Sequence, residues 1–212
     1  MTLMKKYLFV GAHPDDIEFG AGATLAKSVM TNVECHAIVF SNCHESLDSG
    51  TTDKKTLVIE SQKALLKLGL KDHQIRFLDF PVRNFPESRQ DILQVLFDVN
   101  REHSFDRVFA PCTYDIHQDH QVIAIETLRA FKFSTVLGYE LPWNNLESKL
   151  QFFNGVNDNQ VQLKREALSE FNSQKGRFYS GPDKVETILK FRGLQANLDF
   201  AEAFEVLRWI EY

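Results

Sequence analysis

The sequence predicts an α/β fold, and three observations lead to this prediction. Short runs of apolar and β-branched residues alternate along the chain with longer segments whose apolar residues recur at helical spacing. The first run, residues 7–12, contains only apolar or small residues and ends in a polar turn with a proline, which is typical of a strand buried on both faces. With 212 residues, of which 43% are hydrophobic, the chain is long enough to bury one sizeable core. We therefore expect a Rossmann-like, mostly parallel sheet with helices on both faces.

The alternation of strands and helices extends to residue 139. Apolar runs predict strands at 7–12, 33–41, 75–80, 107–111 and 134–139. Helical spacing of apolar or small residues predicts helices at 20–31, 53–68, 91–101 and 119–131. Ligands of such a sheet bind at the carboxyl ends of its strands, so a site is expected in the loops that follow 7–12 and 107–111.

The alternation breaks after Pro142. Residues 143–159 are rich in Asn and aromatic side chains, and two helical stretches follow at 162–174 and 182–197. We interpret this C-terminal part as a lid or cap. No linker composition, internal repeat or low-complexity tract separates it from the rest, so residues 1–212 are expected to form a single domain.

Charge and composition argue against several classes of function. The 24 Lys and Arg against 29 Asp and Glu give a net charge of −5, which disfavours nucleic acid or an anionic lipid surface as the main partner. No run of roughly 18 apolar residues occurs, so no membrane span is expected, and residues 7–12 are too few for the core of a signal peptide. The three cysteines form no C-x-x-C pair, which fits a reducing, cytoplasmic location. A small-molecule substrate is favoured, and homo-oligomer formation is left open.

Two polar clusters directly follow two of the predicted strands. The sequence HPDD at 13–16 comes after the first strand, and DIHQDH at 115–120 comes after the strand at 107–111. Imidazoles and carboxylates brought together are ligands that a divalent metal prefers, and three protein ligands leave a position open for water. One carboxylate then binds the ion while its neighbour accepts a proton from the bound water, whose pKa a zinc ion lowers from ~16 to ~7. The spacing alone does not say which carboxylate or imidazole has which role.

Other features have simpler explanations. An Asp-Asp pair in a loop is usually a solvated turn, but a pair at the end of a buried strand, with histidines beside it and at an equivalent strand end, favours a metal site. The glycines of segment 20–23 lie too far beyond the first strand to form a dinucleotide fingerprint, so we expect them to permit close helix packing. His36, His44, His73 and His103 are isolated, and structural or surface roles are expected for them.

Three segments, AHPDD at 12–16, GAGATL at 20–25 and DIHQDH at 115–120, resemble the motif blocks of the LmbE/PIG-L family of metal-dependent N-acetylglucosaminyl deacetylases. The likeness extends to AEAFE at 201–205, which resembles the closing segment of that family, so most of the chain is covered. The second half, including GYELPW at 138–143, is most similar to members associated with bacterial polysaccharide and sugar modification. The resemblance implies that the protein removes the N-acetyl group from an amino sugar as part of polysaccharide biosynthesis. This sugar is either free, linked to a nucleotide or part of a glycoconjugate.

The same resemblance assigns roles to residues of the two clusters. It implies three metal ligands, which are His13, Asp16 and His120. The ion is Zn²⁺ or another divalent metal such as Fe²⁺. Asp15 is then the general base, His117 steadies the oxyanion or protonates the leaving amine, and Asp119 orients His117. One departure is that Asp115 stands where some thiol-pathway relatives have an oxyanion-binding tyrosine; Tyr114 is only adjacent.

Two other functions compete with the deacetylase. His13 and Asp15 with a distant histidine also fit the 2-His-1-carboxylate formula of iron oxygenases, although such sites commonly lie in all-β jelly rolls. A non-catalytic sugar-binding module that keeps the cleft as a pocket is the second alternative.

Residues 161–193 carry seven Lys or Arg against four acids. These cations either form a solvated helix face or hold a phosphate of the substrate. Trp143 either stacks on a pyranose ring or closes the core.

Overall fold

The computed structural model describes residues 4–44, 55–177 and 182–211, and these ranges contain one seven-stranded sheet. Its strands are β1 (Lys6–Gly11), β2 (Glu34–Val39), β3 (Ile75–Phe77), β4 (Arg107–Pro111), β5 (Thr135–Tyr139), β6 (Phe152–Val156) and β7 (Phe200–Arg208). The helices are α1 (Asp16–Met30), α2 (Thr56–Lys67), α3 (Arg89–His103), α4 (Gln118–Ala130), α5 (Asp158–Leu168) and α6 (Pro182–Ala196). The α/β fold with a mostly parallel sheet is therefore confirmed. The predicted helix at 53–68 includes residues 53 and 54, which lie outside the described residues.

Both faces of the sheet are covered, which explains the continuous apolar run of β1. Leu8 and Val10 point into a core shared with helices α3 and α4, whereas Phe9 points into a second core shared with α1 and α5. Successive strand residues face opposite sides, so a strand in the middle of a covered sheet needs apolar residues at every position. Phe9 stacks on Phe109 of β4 with ring centroids 4.6 Å apart.

The strands lie in the order β3-β2-β1-β4-β5-β7-β6 across the sheet. Strands β2 and β3 extend the sheet on one side of β1, and the later strands extend it on the other side, beginning with β4. Strands β1 and β4 pair in parallel, with Phe9 opposite Phe109, so the loops that follow them leave the sheet side by side. This is the switch point at which open α/β sheets bind ligands. The fold therefore brings together the two polar clusters, which are separated by about half of the chain.

The C-terminal part does more than cap the sheet. β7 pairs antiparallel with β5, and β6 pairs antiparallel with β7, so this part adds two strands that the sequence analysis did not predict. Glu202 and Glu205 are buried in β7 and interrupt its apolar pattern, which obscured the strand. The helical stretch expected at 162–174 is helix α5 followed by a short 3₁₀ helix, Asn172–Gln174.

A buried carboxylate from β7 holds together a break in helix α1. Ala21 has φ −141°, outside the helical range, so the backbone amides beyond it lose their helical partners. Glu202 replaces these partners: its carboxylate accepts the amide of Ala23 at 3.0 Å and the amide of Thr24 at 2.7 Å. Lys164 of α5 donates to the same carboxylate at 2.6 Å, and both side chains are almost fully buried. The pair therefore ties α1, α5 and β7 to each other.

The glycine segment at the break serves close packing, as expected. A Cβ atom at Gly20 would lie 2.1 Å from the ring of Tyr139, so only glycine fits there. The Tyr139 hydroxyl donates to the Val10 carbonyl oxygen at 2.8 Å and fixes the ring below β1. In the ranges described above, no helix combines the length and the apolar character that crossing a bilayer requires.

We expect Glu202→Gln to lower the free energy of unfolding by about 3 kcal/mol, because it leaves the buried ammonium of Lys164 without its counter-charge. Urea unfolding followed by circular dichroism measures the loss. The matched control is Glu186→Gln, which breaks exposed ion pairs with Arg165 and Lys190 and should leave the unfolding midpoint near that of the parent protein. Equal midpoints for the two variants would contradict a structural role for the buried pair.

Candidate active site and metal centre

A cleft of about 290 Å³ lies at the carboxyl ends of β1 and β4. Five of the six residues expected at the site line it, namely His13, Asp15, Asp16, His117 and His120. The sixth, Asp119, is fully buried beneath His13. The N-termini of α1 and α4 both point into this region, since the expected residues occupy the caps and first turns of these two helices. Two helix N-termini add partial positive charge beside the carboxylates.

Asp119 fixes the orientation of His13. Its Oδ2 atom lies 2.9 Å from Nε2 of His13, and its two oxygens also accept the backbone amides of Arg83 at 2.7 Å and Phe85 at 3.3 Å. A carboxylate facing Nε2 keeps the imidazole proton on that nitrogen, so Nδ1 presents a lone pair to the cleft. Asp119 contacts His117, which it is expected to orient, through its backbone amide, whereas its carboxylate faces His13.

Asp115 holds His120 in the same way. Its Oδ2 atom lies 2.8 Å from Nδ1 of His120, and its Oδ1 atom accepts the backbone amide of His117 at 2.8 Å. In neutral His120 the proton therefore sits on Nδ1 and Nε2 presents its lone pair, which is the form that binds a metal ion. The sequence analysis gave Asp115 no role of its own, because the only available signal was its place at the start of a motif. Tyr114, the adjacent residue, is not part of the cleft lining.

The lone pairs of the two imidazoles face each other. Nδ1 of His13 and Nε2 of His120 are 3.0 Å apart, and Oδ2 of Asp16 lies 3.3 Å from the latter and 3.7 Å from the former. A tetrahedral zinc ion with bonds of about 2.0–2.2 Å holds its ligand atoms about 3.3–3.6 Å apart. Atoms at these distances are held together by a positive charge between them, which is either a proton on Nε2 of His120 or a metal ion that replaces it. The residues therefore fit a divalent metal ion.

The electrostatics of the cluster favour positive charge. Burial opposes protonation of His120, but Asp16 and Asp115 outweigh it and raise the pKa of this imidazole to about 10. Burial also opposes ionisation of Asp16, yet His120 and His13 hold its pKa below the usual range of a carboxyl group. In addition, the His13 backbone amide donates to Asp16 at 2.8 Å. A fixed carboxylate beside two oriented imidazoles is a preformed cation site.

His117 differs from the two other histidines of the cleft. Its ring stacks on His120 with centroids 4.6 Å apart, and its Nδ1 atom accepts the backbone amide of Asp119 at 3.2 Å. Burial and the neighbouring imidazoles of His120 and His13 lower the pKa of His117 to about 4. The ring is therefore neutral near pH 7 and carries its proton on Nε2, which makes it a hydrogen-bond donor. A ligand-capable atom of His117 nevertheless lies within 4.8 Å of those of His13 and His120, so a three-histidine ligand set is a geometric alternative.

Asp15 sits at the N-cap of α1 in a strained backbone conformation, with φ 101° and ψ −23°. Non-glycine residues rarely adopt positive φ, and such strain is concentrated at functional sites. Among the residues that the structure describes, its carboxylate makes no hydrogen bond, and it faces the cleft. Burial, with the negative charges of Asp16 and Glu18, raises the pKa of the Asp15 carboxyl well above its usual range. The group is suited to take up a proton.

Most cations of the basic segment 161–193 are engaged away from the cleft. Lys164 pairs with Glu202, Arg165 and Lys190 pair with Glu186, and Arg192 forms a two-point ion pair with Glu140 at 2.7 and 2.6 Å. Of the seven, one lines the cleft, Arg177. The sequence analysis did not single out Arg83, which also lines the cleft and whose loop comes from a third region of the chain. Trp143 lies at the cleft wall and packs edge-on against Phe19, with ring centroids 5.0 Å apart, so it both lines the cleft and contacts the core.

Comparisons with known proteins identify relatives of this chain. Residues 8–131 match the model of the PIG-L family, described as GlcNAc-PI de-N-acetylase. An uncharacterized deacetylase of Escherichia coli (strain K12), YaiS, is 31% identical over 175 residues, which cover 80% of this chain and 91% of that protein. Both clusters of the cleft lie within the matched residues.

Two solved structures show the range of proteins that share the fold. The N,N'-diacetylchitobiose deacetylase from Pyrococcus horikoshii superposes with a TM-score of 0.76 at 20% identity, covering 96% of this chain and 84% of that one. The 4-carboxy-2-hydroxymuconate hydratase GalB from Pseudomonas putida KT2440 also superposes with a TM-score of 0.76, at 19% identity, covering 99% of both chains. The fold alone therefore does not determine the reaction. The family match and the identity to YaiS do establish the relationship: this chain belongs to the PIG-L family.

Proposed function

We propose that the protein is a metal-dependent deacetylase that hydrolyses the acetamido group of an amino sugar to a free amine and acetate. One observation carries the proposal: two imidazole nitrogens and a carboxylate oxygen converge at 3.0, 3.3 and 3.7 Å in a cleft that the Asp15 carboxylate also lines. Such an arrangement has a place for a Lewis acid and a base within one cleft. Membership of a family described as de-N-acetylase supports this reaction class over hydration.

The proposed metal ligands are Nδ1 of His13, Oδ2 of Asp16 and Nε2 of His120, with Zn²⁺ as the first candidate and Fe²⁺ as the second. A divalent ion held there polarises the amide carbonyl and acidifies a bound water. The carboxylates of Asp119 and Asp115 hold the outer nitrogens of the two imidazoles, which keeps both lone pairs aimed at the same point. The mixed α/β sheet differs from the jelly rolls of many iron oxygenases, so that alternative lacks architectural support.

The chain's own groups complete the reaction. Asp15 accepts a proton from the attacking water, and its raised pKa favours holding that proton until the amine leaves. The Nε2 proton of neutral His117 is available to the oxygen of the tetrahedral intermediate, because Nδ1 is already bonded to the Asp119 amide. Proton transfer back from Asp15 to the nitrogen then allows the amine to leave.

The substrate is proposed to be a small amino sugar or its conjugate in polysaccharide biosynthesis. Trp143 offers an aromatic surface at the cleft wall, and Arg83 and Arg177 place two cations around it, which suits a sugar bearing an anionic group. We also assign residues 1–212 to a single domain. We assign the protein to the cytoplasm, because its three cysteines are all buried and unpaired.

Asp15→Asn is expected to retain zinc and lose turnover, whereas Asp16→Asn is expected to lose both, because the two adjacent carboxylates have different roles. Metal content after dialysis and acetate release are the two measurements. The pair is well matched, since both substitutions remove one charge from neighbouring residues of the same turn. Parental turnover by Asp15→Asn would rule out its role as the base.

His117→Ala is expected to keep its zinc and to lose about 100- to 1,000-fold in turnover, the usual effect of losing one oxyanion donor. Zinc content by atomic absorption and kcat from acetate release give the two values. Loss of zinc from this variant, with Asp16→Asn still loaded, would favour the three-histidine ligand set instead.

Incubation with a panel of N-acetylated sugars and their nucleotide conjugates is expected to release equal amounts of acetate and free amine from at least one of them. The release should stop when a chelator removes the metal and return when zinc is added back. A non-catalytic module would bind a sugar without releasing acetate. Higher activity on the conjugate than on the free sugar, reduced by Arg177→Ala, would identify a phosphate-bearing substrate.

A further inference from the structure

We propose that Glu34, His36 and His103 form a second metal site, which takes Zn²⁺ or a similar late transition-metal ion. Glu34 and His36 begin strand β2, and His103 is the last residue of helix α3. The three residues therefore lie at the amino end of the parallel strands, the end opposite to the catalytic cleft. The inference does not depend on the proposed deacetylase activity.

The fold brings these residues together, although His36 and His103 are isolated from each other in the sequence. Glu34 and His36 are two apart on one strand, so their side chains lie on the same face of the sheet. The imidazole of His36 lies 4.5 Å from that of His103 between ring centroids, and its Nε2 atom lies 2.9 Å from Oε1 of Glu34. In the described part of the chain, this is one of two groups in which three such residues offer ligand atoms within 4.8 Å of one another. The other is the histidine cluster of the cleft.

Small side-chain movements bring the three atoms to bonding distance. Ligand atoms on a tetrahedral zinc ion lie about 3.3–3.6 Å apart. The Glu34 and His36 atoms are already close, and the His103 side chain is about one-third exposed at a helix end, so it can rotate towards them.

The surroundings of His103 combine nearby negative charge with a neutral imidazole. The carbonyl groups at the end of α3 carry partial negative charge at His103, and Glu102 lies 3.9 Å from its Nε2 atom. Burial and the nearby His36 lower the pKa of His103, so the neutral form that binds metals prevails near pH 7. Lys6 opposes the ion from 3.4 Å away at Glu34, but its side chain is partly exposed and can withdraw into solvent.

A cavity beside the cluster is lined by His36 and His103, although not by Glu34. It has a volume of about 220 Å³, and Phe105 forms one wall, with its ring centroid 5.6 Å from that of His36 and 5.5 Å from that of His103. The remaining titratable groups around it are His73, Arg76 and Glu102. Two imidazoles and one carboxylate form a donor set typical of zinc, whereas magnesium and calcium prefer oxygen atoms alone. A bound ion would link the start of β2 to the end of α3.

Zinc titration by calorimetry of the full chain, in the His13→Ala background, tests the site without a contribution from the cleft. We expect one remaining equivalent of zinc, bound at least tenfold more weakly after His103→Ala or after the near-isosteric Glu34→Gln. His73→Ala is the matched control, because His73 lines the same cavity but supplies no atom to the cluster; it should leave the affinity unchanged.

A spectroscopic measurement gives an independent readout. Cobalt(II) added to the His13→Ala protein is expected to produce visible absorption bands of a four-coordinate site, and these bands should be lost in His103→Ala. Thermal unfolding in chelator confirms that each variant is folded. Failure of the His13→Ala protein to bind zinc, or equal weakening by His73→Ala and His103→Ala, would overturn the proposed ligand set.

Discussion

The chemistry that we propose for this protein depends on two imidazole nitrogens, Nδ1 of His13 and Nε2 of His120, that lie 3.0 Å apart. Each of the two rings is held by a carboxylate on its outer nitrogen, Asp119 for His13 and Asp115 for His120, so neither can turn its lone pair away. Such an arrangement is unfavourable without a positive charge between the rings. The rest of the fold must therefore supply the rigidity that keeps them together, and a cation relieves the repulsion that this rigidity creates.

That rigidity has an identifiable source. His13 and Asp16 follow β1, and His120 follows β4, two strands that are adjacent where the sheet reverses its order. Helix α1 begins at Asp16 and is interrupted a few residues later at Ala21, where Glu202 takes the place of the missing helical partners. Strand β7 thus supports helix α1, which carries the carboxylate of the proposed metal site. No residue of β7 belongs to that site.

Local patterns in the sequence were sufficient to predict the central sheet and the strand ends at which the candidate site lies. The apolar run of β1 and the polar turn after it are features of a few consecutive residues, and the family's motifs lie in the same turns. The contacts of Asp119 could not be predicted in this way, because its partners include the backbone amides of Arg83 and Phe85, which come from a loop of no distinctive composition. Strand β7 was missed because its buried glutamates have partners far away in the sequence: Glu202 pairs with Lys164, and Glu205 accepts hydrogen bonds from Thr113. The pairing of His36 with His103 was missed for the same reason: only the packing of α3 on the sheet brings them together.

An experimental structure of the zinc-loaded protein, with anomalous scattering recorded at the zinc edge, tests the central claim most directly. The account predicts a peak in the cleft within bonding distance of Nδ1 of His13, Oδ2 of Asp16 and Nε2 of His120, with the Asp15 carboxylate near the ion but not bonded to it. A cleft without a peak, or an ion bound by His117 in place of Asp16, would contradict it.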